Sequence, residues 1–367
     1  MKTSEISVLV VIILLNIIFW TYPNLPAYLV NPPATIDSLS FNPYQIDQSP
    51  LAGQHPTDEQ LDRDLQIIST LTNTVRIYGS DPWMSSIPGL AKKYGIDVVA
   101  SAWIDSNLEN NKVRLEQAIQ LAGFNKNVKR LIVGNETQLS KLIDRGEIIS
   151  REDLISLLAE ARKRLKTPVS TAEPWDYWLK DPELASEVDF IAIHVLPYWV
   201  EVPIDQAIDY VVGKYRAVKN KFPNKFVYLA EVGWPSDGPQ RGPAEATLVN
   251  QARFVREFAK RAKEENIPYN LVEAFDQPWK GQIEGRVGEH WGIWDAHRQL
   301  KFPIEGSVIE DTKWKTWAFS SSFIGFFVGF ILLLQKRKLK LQGKVLMLVV
   351  VQLVTTGALL LIKAAAG

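Results

Sequence analysis

The chain has 367 residues, 41 basic and 41 acidic side chains, and no cysteine. Balanced charge leaves no basic face for nucleic acid, and without cysteine there are neither disulfides nor thiolate metal sites. The four histidines (His55, His194, His290 and His297) lack the spacing of a helical zinc site, so no metal or cofactor is expected.

Residues 6–22 are an apolar run broken by Ser7 and Asn16, long enough to cross a bilayer once Thr21 and Tyr22 are counted. Lys2 is offset by Glu5 and no Ala-x-Ala site follows, so an uncleaved anchor is expected, with a cleaved signal peptide as its rival. Residues 23–36 are proline-rich and read as a linker. From 37 to 308, short apolar runs alternate with amphipathic helices, the pattern of a parallel sheet with helical crossovers. The strand candidates are 38–42, 74–78, 97–102, 130–134, 168–172, 190–195, 226–230 and 270–274. Eight strands are what an α/β fold of the (β/α)8 TIM-barrel class requires. Between them, Thr57 with Asp58 and Glu59 opens a helix whose Leu61, Leu65, Ile68 and Leu71 form one stripe. Ser150-Arg151-Glu152-Asp153 has capping-box spacing, and 244–264 reads as another long helix.

Residues 317–334 and 345–362 are two further spanning-length apolar runs. The basic loop between them, 335–344, holds Lys336, Arg337, Lys338, Lys340 and Lys344. Short loops rich in Lys and Arg stay in the cytoplasm, which places 37–308 on the periplasmic side of an inner membrane. Trp20, Trp314 and Trp317 flank the apolar runs and read as interfacial anchors.

The other nine of the 12 tryptophans lie in the middle of the chain, many directly after a strand: Trp83, Trp103, Trp175, Trp178, Trp199, Trp234 and Trp279. Sugar rings stack their CH faces on aromatic side chains while their hydroxyls need polar partners, so this placement suggests a carbohydrate cleft. A packed barrel rim is the alternative for any single tryptophan. Two glutamates stand at strand ends: Glu136 in Val133-Gly134-Asn135-Glu136 and Glu231 in Leu229-Ala230-Glu231-Val232-Gly233-Trp234. Taken singly, Glu136 could be a helix N-terminal acid and Glu231 an ion-pair partner. Together, on the fourth and seventh of eight strands, they suit the acid and nucleophile of glycosidic cleavage.

These motifs, with Val75-Arg76-Ile77-Tyr78-Gly79 and Glu289-His290-Trp291-Gly292-Ile293, resemble glycoside hydrolase family 17, the β-1,3-glucanase and transglucosylase family, in a bacterial membrane-anchored form. The likeness extends over roughly 38–302. It implies that Glu136 is the acid/base, holding a proton near neutral pH, and Glu231 the ionised nucleophile, in a retaining reaction with the carboxyls about 5–5.5 Å apart. It also implies that Asn135 contacts the sugar 2-hydroxyl, that Tyr198 hydrogen-bonds Glu231, and that Lys280 and Glu289 form an accessory polar pair. Tyr78, Trp175, His194, Trp234 and Trp279 complete the expected substrate-binding set. β-Glucan and a membrane are the implied partners, with a membrane glucan synthase as a further one. A clan relative acting on another β-glycan, or a non-catalytic glucan-binding platform, are the alternatives.

Overall fold

The computed structural model describes residues 3–138, 149–336 and 338–366 of the chain. The chain divides into two compact units, one formed by residues 29–306 and the other by the segments on either side of it.

Residues 29–306 form a closed barrel of eight parallel strands surrounded by helices, paired in sequence order with the last strand against the first. The strands are β1 (Leu39–Ser40), β2 (Thr74–Arg76), β3 (Asp97–Ala102), β4 (Val128–Asn135), β5 (Val169–Pro174), β6 (Phe190–Val195), β7 (Phe226–Val232) and β8 (Tyr269–Leu271). All eight expected strands are present in their expected order. β3 and β6 have the expected bounds, whereas β1 and β8 are shorter. Their inward side chains explain this: Ser38 and Ser40 bond Asn270 at 2.8 and 2.6 Å, and Ser40 bonds Tyr78 at 2.7 Å. Side-chain hydrogen bonds take over where the ladder is brief. The apolar part of the core holds Val99, Ile132, Ala172, Phe190, Ala192, Tyr228 and Ala230 in one buried cluster. Each large apolar side chain so buried contributes about 1.5–3 kcal/mol.

The helices begin where their caps place them. Thr57 and Gln60 make a complete capping box on Asp58–Ile68, and the Ser150 hydroxyl accepts from the Asp153 amide. The helix expected over 244–264 is Leu248–Glu265, because Arg241 and Ala244 pair with each other across a turn and Thr247 takes the cap. In the barrel the ladder register shifts between Ile132 and Asn135, between Ile193 and His194, and between Leu229 and Val232. These three lie near the C-terminal ends of strands, where such irregularities re-aim side chains, while a fourth, between Val98 and Val99, lies at the start of β3.

The second unit holds three helices long and apolar enough to cross a membrane, Thr3–Thr21, Trp314–Gln335 and Leu341–Ala366. They pack through polar atoms. Asn16 donates to Ser321 and Ser322 at 2.7 and 2.9 Å, and its carbonyl accepts from Thr356 at 2.9 Å. Two expectations change here. Trp20 is buried with its indole N–H on Ser321 at 2.9 Å, so it joins helix to helix instead of anchoring at an interface. Lys344 belongs to the third helix, not the basic loop, and pairs with Glu5 at 2.6 Å. Arg337 of that loop lies outside the described residues. A short antiparallel pairing of Ala27–Tyr28 with Ser307–Val308 also belongs to this unit.

Candidate active site

Parallel pairing of β6 with β7 puts His194 opposite Glu231, and β4 ends at Asn135 beside Ala172 of β5. Glu136 follows with its amide on the Ala172 carbonyl at 2.8 Å. Glu231 ends its strand before Gly233, where a β-carbon would lie 2.4 Å from the Val272 carbonyl oxygen, so only glycine lets β7 pass this close to β8.

Glu136 and Glu231 thereby face one another. A carboxylate oxygen of each and a ring nitrogen of His194 lie within 4.8 Å of one another. His194 is buried between them, Nδ1 being 2.8 Å from Glu136 Oε1 and Nε2 3.5 Å from Glu231 Oε1. Arg76, at the end of β2, is fully buried. One of its terminal nitrogens, Nη1, donates to Glu231 Oε1 at 3.2 Å and to the Ala230 carbonyl at 2.8 Å. The other donates to Asn135 Oδ1 at 2.6 Å. Nη1 is also 3.3 Å from His194 Nε2. A guanidinium only donates, so in this contact Nε2 is placed to accept, which leaves Nδ1 to face Glu136. The three side chains have donor types that a metal could use, and the Arg76 cation lies beside two of them, His194 and Glu231. The arrangement suits proton handling.

A second buried carboxyl, Glu273, adjoins the pair. Its oxygens accept from Lys280 Nζ at 2.6 Å and from Asn42 Nδ2 at 2.7 Å. Burial pushes Glu273 above the usual carboxylate range against the opposing pull of Lys280. On Lys280 itself burial acts downward, but the negative charges of Glu273, Glu284 and Glu231 prevail and its net shift is upward. Tyr78, held by Ser40 with the Arg76 guanidinium 4.4 Å from its ring centre, is pushed well above 10 by burial. A further carboxyl, Glu173 near the end of β5, is also wholly buried.

Of the expected site residues, Glu136, Glu231, Asn135, His194, Tyr78 and Lys280 converge on this centre. Others do not. Tyr198 does not bond Glu231: it is buried against Trp199, Trp234 and Trp291, and its hydroxyl donates to the Pro239 carbonyl. Trp234 is 1% exposed, stacks on Phe254 and donates to the Glu245 carbonyl, so it is core and not cleft. Lys280 pairs with Glu273 and not with Glu289, whose carboxylate lies against Gly281. Trp175 is half-buried with the Lys214 ammonium 4.3 Å from its ring centre. Trp279 is half-buried, donates to Gln277 at 2.7 Å, and meets Tyr44 edge to face. Tyr44 in turn meets Trp83. These three rings follow β8, β1 and β2, which are neighbours in the closed barrel.

Sequence reasoning missed Arg76, Glu173 and Glu273 as members of the site. Their signal was present: a charged residue closing an apolar β-run has to find a partner inside the barrel mouth.

A closed parallel barrel with paired carboxylates at the C-terminal ends of its strands is an arrangement that barrel glycoside hydrolases use. Residues 38–292 match the BtgE/BtgC glycoside hydrolase domain, and the chain belongs to that family. It is 29% identical over 315 residues to the probable glucan endo-1,3-beta-glucosidase btgC of Aspergillus flavus, covering 76% of this chain and 44% of that protein. It is 27% identical over 296 residues to the glucan endo-1,3-beta-glucosidase btgC of Emericella nidulans, covering 71% and 45%. The chain thus spans less than half the length of these relatives. Among solved structures it resembles the glycoside hydrolase family 17 beta-1,3-glucanosyltransferase of Rhizomucor miehei, with TM-score 0.63 and 24% identity over 74% of this chain and 98% of that one. An active-site mutant of a Rhizomucor miehei beta-1,3-glucanosyltransferase in complex with laminaritriose gives 0.64 and 23%. At this identity the likeness establishes the fold.

Proposed function

We propose that the chain is a retaining glycoside hydrolase or transglucosylase acting on β-1,3-linked glucan. The observation that carries this reading is the pair of strand-end carboxyls, Glu136 and Glu231, whose oxygens lie within 4.8 Å with His194 between them. That is close to the separation of about 5–5.5 Å at which one carboxylate attacks directly and no water fits between. The relatives' names supply the substrate class.

In the proposed reaction Glu231 attacks the anomeric carbon while Glu136 gives its proton to the departing glycosidic oxygen. Arg76 pairs with Glu231 and aims it, and Asn135, itself fixed by Arg76, faces the sugar. The C–O bond to the leaving chain breaks as the bond to Glu231 forms. Glu136, now a carboxylate, takes a proton from water or from a sugar hydroxyl, which displaces Glu231 and restores both groups. Water gives hydrolysis; a sugar gives a longer glucan.

We further propose an anchor at 6–22, a linker at 23–36, a catalytic domain at 37–308 and a membrane hairpin at 317–334 and 345–362. The barrel would lie on the periplasmic side of the inner membrane, beside a glucan synthase. Glu5 and Lys344, near the N-terminal ends of the first and third helices, pair with each other, and Lys363 pairs with Asp311 at the opposite helix ends. Both pairs agree with a basic loop on the same side as the N-terminus.

The test is detergent-solubilised protein with short β-1,3-gluco-oligosaccharides, with products read by mass spectrometry. Products longer than the substrate identify transfer, and shorter ones alone identify hydrolysis. Glu231→Gln should abolish both while oligosaccharide binding persists. Wild-type protein indistinguishable from Glu231→Gln would overturn the enzymatic reading on this glycan in favour of a binding platform.

A further inference from the structure

The turn that presents Glu136 has an unusual backbone. Gly134 has φ +87° and Glu136, which carries a side chain, φ +53°. A left-handed non-glycine residue costs about 1–2 kcal/mol and persists only where its surroundings over-determine it. The next two residues show what does so. Thr137 Oγ1 donates to Glu173 Oε1 at 2.8 Å, and the Gln138 amide donates to Glu173 Oε2 at 3.2 Å. Thr171 Oγ1 adds a weaker contact to the same carboxyl at 3.4 Å. Gln138 is fixed further by Tyr177, whose hydroxyl donates to its side chain at 3.3 Å, and by its own bond to the Ile149 carbonyl at 3.2 Å.

Glu173 has no exposed surface and takes no part in the double displacement. A buried carboxyl of this kind is costly to keep. Burial pushes it up to about 8, and Glu136 adds to the rise. Among the described residues, the titratable groups facing it are Glu136 from the β4 turn and Tyr177 from the helix Trp175–Lys180. A packed apolar side chain would be cheaper there, but it could not accept from Thr137 and Gln138.

We propose that Glu173 is the positioning residue for Glu136: its buried carboxyl grips the two residues after Glu136 and so governs proton delivery to the leaving oxygen. This rests on Glu136 being the acid/base. Glu173 itself touches no substrate.

Leaving-group dependence separates this role from general support of the fold. Dinitrophenolate departs without a proton, whereas a glucosyl oxygen needs one. We therefore compare kcat/KM on laminari-oligosaccharides with kcat/KM on a 2,4-dinitrophenyl β-laminaribioside. Glu173→Ala should lose about 10²-fold on the oligosaccharides, the scale of a misplaced general acid, and change little on the activated glycoside. Glu173→Gln, which keeps an acceptor for the Gln138 amide, should lie between Ala and wild type on the oligosaccharides. Equal losses on both substrates, or no loss on either, overturn the proposal. If Glu173→Ala does not fold, Thr137→Val removes one grip alone, and the same split must appear at smaller size or the idea fails. Glu136→Ala is the independent control. If it shows no leaving-group split, the acid/base assignment is wrong, whatever Glu173 does.

Discussion

Arg76 is the residue on which the site turns. Fully buried, its guanidinium reaches the strand ends of β4, β6 and β7 at once. A lysine could supply the charge but not the planar fork. Arg76→Lys should therefore lower kcat/KM by about 10²-fold or more, the scale of losing one preorganised electrostatic donor. Steady-state kinetics on laminari-oligosaccharides checks it. Arg76→Leu should also cost stability, because the Glu231 charge would lose its buried counter-ion. Glu173 gives a prediction about pH. Its carboxyl is raised from an ordinary 4.5 to about 8 in the folded chain. Between those values the unfolded chain has released a proton that the folded chain retains, so this group's contribution to stability falls as pH rises from 4.5 to 8. Glu173→Gln should flatten that decline, read as the melting midpoint of the detergent-solubilised protein across the window. A slope unchanged by the substitution would count against it.

At the scale of elements, the order and type of the eight strands were legible because each is a compact apolar run closed by a polar or aromatic residue. β3 and β6, mostly apolar, were legible to the residue. β1 and β8 were not, because Ser38, Ser40 and Asn270 replace ladder bonds by side-chain bonds that no periodicity announces. The two central glutamates were legible for the same reason as the strands they end. The tryptophans were harder. A ring following a strand can turn toward the mouth, as Trp279 does on Gln277, or back under a helix, as Trp234 does on Phe254. The sequence position is equivalent in both, and only packing decides. Tyr198 misled similarly, since the Pro239 carbonyl that takes its hydroxyl is remote in sequence. Helix starts followed their caps. Thr247→Ala should cost about 1 kcal/mol of stability, with kcat preserved, measured by thermal unfolding alongside turnover.

At the scale of the whole molecule, the membrane assignment makes a clean experiment possible. With no native cysteine, single cysteines placed at Asn110 and Lys338 report sidedness by labelling with an impermeant maleimide in intact inner-membrane preparations. The two sites should label from opposite faces, and labelling of both from one face would refute the topology. The bundle itself is testable through Lys344. Lys344→Met removes the ammonium partner of Glu5 and should lower the melting midpoint in detergent, whereas Glu5→Gln combined with Lys344→Gln should recover much of it.

The Glu5–Lys344 pair joins positions 339 residues apart, and Asn16 meets Thr356 across 340. Synthesis runs from the first helix to the third, so the polar atoms of the first helix can meet these partners only after the entire barrel has been translated. These contacts of the bundle therefore form only on a chain translated through its third helix. Under the proposed topology, a chain that stops before Ser321 would leave Asn16 without either of these polar partners, Ser321 and Thr356.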